Sequence, residues 1–324
     1  MSRYRTPLRY PGGKQKLAPF IVELLRENDL IGGHYAEPYA GGAGVALELL
    51  LDNLVSKVHL NDSSVPVYAF WKSVVSKPDE LCRMISTASL TVEEWRRRRD
   101  IVRNPRGHSQ LEVGFSAFYL NRCNRSGVLS GGLIGGLAQN GEWRMDARFS
   151  RNELIRRIEV IATRSDSIVL KNWDAERFIQ EHIPKLPENS LVYCDPPYFE
   201  KASRLYLNSY RPSDHERIAE IIQNGIVRKW VVSYDSAPEI LGYYANRRSF
   251  LYDLQYNASR VYKGKEVFVF SDDLSLPRSS KLPYIDHAIQ ASAPLLARKR
   301  ATRRPAPPST PIRSSAAKAT ATGL

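Results

Sequence analysis

A carboxylate, two prolines and a tyrosine stand together at Asp195-Pro196-Pro197-Tyr198, directly after the apolar run Leu191–Cys194. A turn of this kind suits an amine that is not basic because its lone pair is shared with an aromatic ring. The Asp195 carboxylate and a backbone carbonyl turned outward by the prolines each accept one N–H of such an amine. That draws the nitrogen towards tetrahedral geometry and frees its lone pair for attack on an electrophile. Pro196 and Pro197 fit the task because proline fixes φ and carries no donor to compete for the carbonyls. Tyr198 offers an aromatic face on which an extruded base can stack. The turn follows a buried-type strand, and open α/β sheets gather their ligands at that carboxyl edge.

Glu37-Pro38-Tyr39-Ala40-Gly41-Gly42-Ala43-Gly44 is the second cluster. Gly41, Gly42 and Gly44, between a strand end and a helix start, let the backbone approach a nucleoside closely. Asp62 closes the next strand, Val58–Asp62, where an acid binds a ribose diol. The loop has no pattern for cradling pyrophosphate, so a nucleoside cofactor without phosphates fits better than a dinucleotide. Asp174, after the strand Ile168–Lys171, is placed to accept from the cofactor's adenine, or simply to cap the helix beginning AERFI. Near the N-terminus, Pro11-Gly12-Gly13-Lys14 is a glycine turn that delivers a cation to a carboxylate, with Tyr10 beside it.

These residues must be held by an α/β framework. Leu17, Phe20, Ile21, Leu24 and Leu25 repeat at helical spacing. LIRRIEVI predicts an amphipathic helix, WVVSYD a buried strand, and FLYDLQY with EVFVFS two late strands joined by a basic loop. Strands alternating with helices predict a mainly parallel, doubly wound sheet. Residues 1–90 and 154–274 form this catalytic domain. Residues 91–153 break the alternation and read as an inserted, mainly helical and loop module. From about residue 275 the chain is rich in Pro, Ser, Ala and Arg, a composition that predicts a disordered tail.

The chain of 324 residues carries a net charge of +13. Nine Lys/Arg against one acid between residues 278 and 324 supply +8 of it, leaving a moderately basic body. A polyanion partner is favoured, the alternative being that the charge only aids solubility. No run approaches the length of an apolar membrane span. Cys82, Cys123 and Cys194 are odd in number and widely spaced, which fits neither a disulfide framework nor a zinc site. A reduced, cytoplasmic setting and the absence of any metal are expected.

Taken in order, YPGGK, EPYAGGAG, ND, FYLNR and DPPY resemble the Dam-type, D12 class DNA adenine-N6 methyltransferases, from about residue 7 to residue 274. The resemblance implies a Rossmann-like S-adenosylmethionine-dependent methyltransferase fold with an inserted target-recognition domain and a terminal β-hairpin. It implies methyl transfer from S-adenosylmethionine to adenine N6 in double-stranded DNA, with Tyr10, Lys14, Asp62 and Asp195 contacting the cofactor. A bacterial or phage origin and a cognate restriction nuclease as partner also belong to that expectation. The segment after Asn121-Arg122 departs from the GATC methylases: Cys123-Asn124-Arg125-Ser126-Gly127 is followed by SGGLIGGLAQNG, so the target sequence does not carry over.

The insert makes physical sense as a DNA reader. Between residues 91 and 157 there are 13 Arg against seven acids. Arg122, Arg125, Arg144 and Arg148 are candidates for guanine or phosphate contacts, and Asn121 and Asn124 for adenine. The run Arg96–Arg99 reads as a solvated or phosphate-facing helix surface. Cytosine N4 is the rival acceptor, since both amines suit the same turn, and an idle DNA-binding regulator is the rival of another class. If the basic tail adds non-specific DNA affinity, deleting residues 276–324 lowers affinity and flattens the dependence of log K on log salt, by ~0.9 for each phosphate left unneutralised. Filter binding across a salt series reads that slope, and an unchanged slope refutes the role.

Overall fold

The structure, a computed structural model, describes residues 5–9, 14–199, 210–257 and 261–277, and omits the side chains of residues 253–257 and 261–264. Seven strands form one sheet: β1 (His34–Glu37), β2 (Lys57–Asn61), β3 (Ile168–Lys171), β4 (Ser190–Cys194), β5 (Lys229–Asp235), β6 (Arg248–Asn257) and β7 (Val261–Phe270). Their order is β3-β2-β1-β4-β5-β7-β6. The first five are parallel, and β7 runs antiparallel between β5 and β6. Because β1 lies between β2 and β4, the order reverses there, which opens a crevice at the carboxyl ends of β1 and β4.

Both faces of the sheet are covered, and the period-two alternation of the strands decides which residue goes where. Tyr35, Leu191, Tyr193, Val231 and Phe268 join one apolar cluster with α1 (Ala18–Glu27), α2 (Gly44–Leu51) and α3 (Val65–Ser76). Ala36, Val192, Cys194, Val232 and Val269 join the other, with α8 (Ala175–Glu181), α9 (Pro212–Gly225) and α10 (Pro238–Tyr243). The predicted helix over Leu17 to Leu25 is α1, and LIRRIEVI lies in α7 (Arg151–Ala162). No described helix is long and apolar enough to cross a membrane.

The segment after α4 (Pro78–Ser86) begins as helix and ends as loop. It contains two capped helices, α5 (Val92–Arg103) and α6 (Gln110–Cys123). The hydroxyls of Thr91 and Ser109 accept the Glu94 and Glu112 N–H groups at 3.2 Å each. α6 is buried almost all round, so it lacks the one-sided periodicity by which helices are recognised. Gly114 lets α6 press against α3: a Cβ there would stand 2.5 Å from the Ala69 carbonyl oxygen. Only residues 124–149 are loop-rich, and they too send Leu133, Met145 and Phe149 into the main cluster. The arginine run is likewise not a uniform solvated face. Arg98 is buried, ion-paired with Glu94 and 4.6 Å from the Phe115 ring centroid. The tail from residue 278 lies outside the described residues.

Three imidazoles tie the far end of α8 to the sheet. His59 on β2 shares one hydrogen bond with His182 at 2.9 Å and another with His34 at 3.0 Å. Burial, the two histidine neighbours and Lys57 hold the His59 pKa down to about 3. Unfolding restores it to ~6.5, so the unfolded chain binds the extra proton between those values. Its contribution is complete above pH ~6.5 and is lost as pH falls towards 3. Urea unfolding at pH 7.5 and pH 5 should therefore show ~2 kcal/mol more acid-induced loss in the wild type than in His59→Gln. Equal losses in the two proteins would remove this account.

Candidate active site

The loops that follow β1, β2 and β3 are stapled by one buried side chain. The Asn61 amide donates to the Pro38 and Trp173 carbonyls at 3.0 and 3.1 Å, and its oxygen accepts the Trp173 N–H at 3.0 Å. This brings the glycine loop against Asp62, whose Oδ2 accepts the Gly41 N–H and whose Oδ1 accepts the Ser64 N–H, both at 2.9 Å. Gly41 has φ +46°, a left-handed conformation that glycine adopts without strain. Trp71 fixes the same residue by donating to its carbonyl at 2.8 Å. Burial raises the Asp62 carboxyl to about 6. The buried Ser64 hydroxyl has no partner among the described residues. A partly buried carboxylate beside an unmatched hydroxyl, next to a glycine turn, suits a diol.

Glu37, at the end of β1, is buried and accepts the Ala46 N–H at 3.3 Å. Burial above all, with the field of Asp195, raises its carboxyl to about 8, so it stands protonated at neutral pH. Through the Ala46 N–H it holds the first turn of α2, directly after the glycine loop. Asp174 caps α8 by accepting the Glu176 N–H at 2.9 Å.

Across the crevice, Asp195 leaves β4 into a polar network assembled from distant parts of the chain. Ser233 on β5 donates to its Oδ1 at 2.9 Å and is itself hydrogen-bonded to Tyr193 at 2.7 Å. The buried Lys14 ammonium lies 3.1 Å from the same Oδ1 and 3.1 Å from Glu266 Oε2. Glu266 on β7 is 1% exposed and also accepts from the Tyr198 and Tyr252 hydroxyls. Burial raises the Asp195 carboxyl and nearby Glu266 adds to this, while Lys14 and the Ser233 hydrogen bond oppose it. Asp235, the cross-strand partner of Glu266, accepts the Phe199 N–H at 3.0 Å and so fixes the far end of the Asp-Pro-Pro-Tyr turn.

The structure thus joins Lys14, Asp195 and Tyr198 directly, and sets Glu37, Gly41, Gly42, Gly44 and Asp62 on the opposing loop of the same sheet edge. Tyr198 corrects its expectation: the ring is buried and packed in the second apolar cluster, with no open face for a base in this conformation. Tyr10 and Pro11 to Gly13 lie outside the described residues. Two predicted base readers are structural instead. Asn121 is buried between Arg9 and Gly127, and Asn124 donates to the Val128 and Leu129 carbonyls and accepts from Trp95. Arg122 is turned to the Arg148 and Pro7 carbonyls, whereas Arg125, Arg144 and Arg148 are exposed. Sequence reasoning missed Asn61, Ser233, Asp235 and Glu266. Glu266 had a signal, an acid opening the apolar run Val267–Phe270. Among the described residues no group of three or more His, Cys, Asp or Glu side chains is arranged to hold a metal.

Residues 10–258 match the family of D12 class N6 adenine-specific DNA methyltransferases. No curated protein matches the chain. Among solved structures, a putative RNA methyltransferase of Pyrococcus horikoshii is 10% identical with a TM-score of 0.38, over 82% of this chain and 86% of that one. An rRNA methyltransferase of Streptomyces viridochromogenes is 13% identical with a TM-score of 0.34, over 81% and 86%. Likenesses this loose assign neither fold nor substrate.

The Glu266 network has a measurable consequence for stability. Glu266→Ala removes one of the two carboxylates paired with the Lys14 ammonium and leaves two phenols without their acceptor, and breaking a buried ion pair from one side costs about 3–5 kcal/mol. Tyr252→Phe removes one hydrogen bond to the same carboxylate, worth about 1 kcal/mol. Denaturant unfolding of both variants should give losses in that order. A Glu266→Ala loss no greater than that of Tyr252→Phe would show that the carboxylate does not hold the network.

Proposed function

The chain belongs to the D12 class of N6 adenine-specific DNA methyltransferases, and on that premise we propose that Asp195 and the carbonyl of Pro196 grip the adenine N6 amine during methyl transfer. The observation that carries this reading is the asymmetry of the Asp195 carboxylate. Its Oδ1 takes both Ser233 and Lys14, while Oδ2 has no partner among the described residues. One oxygen is anchored and the other is left to accept an N–H. The proline carbonyls provide the second acceptor, since the turn holds them apart from any ladder.

S-Adenosylmethionine, the methyl donor of this class, supplies an electrophilic methyl group on a sulfonium. The residues on the opposing loop fit its nucleoside end: Asp62 and Ser64 for the ribose hydroxyls, the Gly41–Gly44 turn for close approach. Lys14 stands at the junction of the two halves. In this structure its charge is taken by Asp195 and Glu266, so it orients the Asp195 carboxylate whether or not it also meets the cofactor carboxylate. Catalysis is then mainly positioning and electrostatics: the amine is held with its lone pair directed, and its growing positive charge faces Asp195. The proton released from the methylated amine passes to Asp195 Oδ2, whose raised pKa suits it to accept. No step calls for a metal. Double-stranded DNA is the substrate of the class, and the exposed Arg125, Arg144 and Arg148 are assigned to its phosphates or guanines.

Nucleoside mass spectrometry of unmethylated DNA incubated with the protein and S-adenosylmethionine should show N6-methyladenine, with at least a ~10²-fold lower rate for Asp195→Ala. Methylcytosine in its place would move the acceptor to N4, and undiminished activity in Asp195→Ala would sink the mechanism. The acidic limb of the rate profile should lie above the ordinary carboxylate range, because Asp195 must be ionised to accept. Lys14 favours the ionised form, so Lys14→Met should move that limb to still higher pH.

A further inference from the structure

Residues 124–149 hold a large apolar side chain in water. Trp143 is 59% exposed, and Leu137 on the same loop is 57% exposed. The other tryptophans are used differently: Trp71, Trp95 and Trp230 are buried and Trp173 is half-buried. Isolated exposed apolar residues are ordinary, but this pair sits on a loop that is otherwise fixed. An antiparallel bridge joins Asn124 to Leu133. The Gln139 amide donates to the Ile134 and Gly136 carbonyls at 2.7 and 2.6 Å, and its oxygen accepts the Met145 N–H at 3.0 Å. Leu133, Met145 and Phe149 are its buried anchors. Met145 points into the core two residues from Trp143, so the loop is held from within while the indole is held out.

The charged neighbours of Trp143 along the loop are Arg144 and Arg148 with Glu142 and Asp146, all exposed, and it is a guanidinium that approaches the ring. The Arg148 guanidinium lies 5.8 Å from its ring centroid, and Arg144 and Arg125 are exposed. Arg122 lies half-buried among Arg9, Arg157 and Arg148, and burial with this crowding lowers its pKa to about 9. An aromatic ring among guanidiniums fits a stack of bases between phosphates better than it fits an apolar protein surface. The loop is also tied to the reaction centre. Asn121 clamps Arg9 through both its N–H and its carbonyl, at 2.7 Å each, and donates to the Gly127 carbonyl at 2.9 Å. Five residues lead from Arg9 to Lys14, a reach of at most ~18 Å, about half a helical turn of DNA. Asp195 and the base of the loop can therefore engage one duplex together.

We propose that Trp143 is a wedge that enters the DNA stack beside the target adenine and fills the space left by the extruded base. Arg144 and Arg148 hold the flanking phosphates. The inference rests on the DNA-methylating reading above and adds to it the side chain that replaces the stacking given up when the base leaves. A base leaves the stack only if that deficit is offset, and an inserted apolar side chain offsets it. Tyr198, buried against the second cluster, is not available for that task in the present conformation.

The test uses the full chain and a duplex carrying a site that the wild type has been shown to methylate. Trp143→Ala should lower kcat/KM on the paired duplex by ~10–100-fold, the scale of one base–aromatic stack. Its melting temperature and its affinity for S-adenosylmethionine should match the wild type, and Trp143→Phe should recover most of the rate. With the target adenine placed in a mismatch, the base is already loosened, and Trp143→Ala should fall within ~3-fold of the wild type. Equal rates for Trp143→Ala and wild type on the paired duplex overturn the proposal. So does a rate deficit that the mismatch leaves undiminished, which would make Trp143 a surface contact only. A wild type that methylates no DNA at all overturns the underlying reading instead, and is seen before any variant is compared.

Discussion

One buried cation organises the reaction edge of this protein. The Lys14 ammonium lies within 3.1 Å of both Asp195 and Glu266, and each partner comes from a different part of the chain. A buried ammonium alone is too costly to keep charged, and two buried carboxylates alone repel. Together the three are tolerable only if each stays in place and the remaining lone pairs find donors. Tyr198, Tyr252 and Ser233 supply those donors. The result is that the N-terminal segment, the Asp-Pro-Pro-Tyr turn and the antiparallel hairpin cannot move independently without stranding a charge.

That constraint gives the hairpin a purpose beyond completing the sheet. β7 pairs with β5 in a register that sets Glu266 opposite Asp235. From this pair of acids one line of hydrogen bonding runs to Lys14 and Tyr198, and the other to the Phe199 N–H. The turn that bears Asp195 is thus fixed at both ends by buried carboxylates. The opposing loop follows a different rule: Asn61 and Asp62 fix it through backbone groups, which leaves a diol-sized polar edge. Rigid acids on one side and a backbone-lined turn on the other match an acceptor that must be oriented and a nucleoside that must be admitted.

How much of this was legible in the sequence depends on where each residue's partner lies. Asp62 and Asp195 were readable because an acid that ends an apolar strand stands at the edge where chemistry is done. The strands themselves were readable from their burial pattern, and β2 and β4 fall within one residue of the expected limits. Asn121 and Asn124 were misread because a polar residue in a motif gives no sign of whether it faces solvent or clamps backbone. Their partners, Arg9, Trp95 and Gly127, are set by tertiary packing. Glu266 escaped notice for the same reason: its importance comes from Lys14, 252 positions away. α6 hid in the opposite way, since a helix buried on all sides loses the periodicity that advertises it.

The same network bears on the protonation state in which the turn works. Burial and Glu266 push Asp195 towards its neutral form, while Lys14 and Ser233 push it back. A fully exposed Asp195 would be ionised but hydrated, and a weak partner for an aromatic amine. Buried without Lys14, it would be pushed further towards the neutral form, which lacks the acceptor on which the mechanism depends. Lys14 thus permits a carboxylate to be both desolvated and charged, the state in which its hydrogen bonds to a developing cation are strongest. Glu266 limits that effect by sharing the same ammonium. The balance between these two acids over a single cation sets the pH at which Asp195 becomes a competent acceptor.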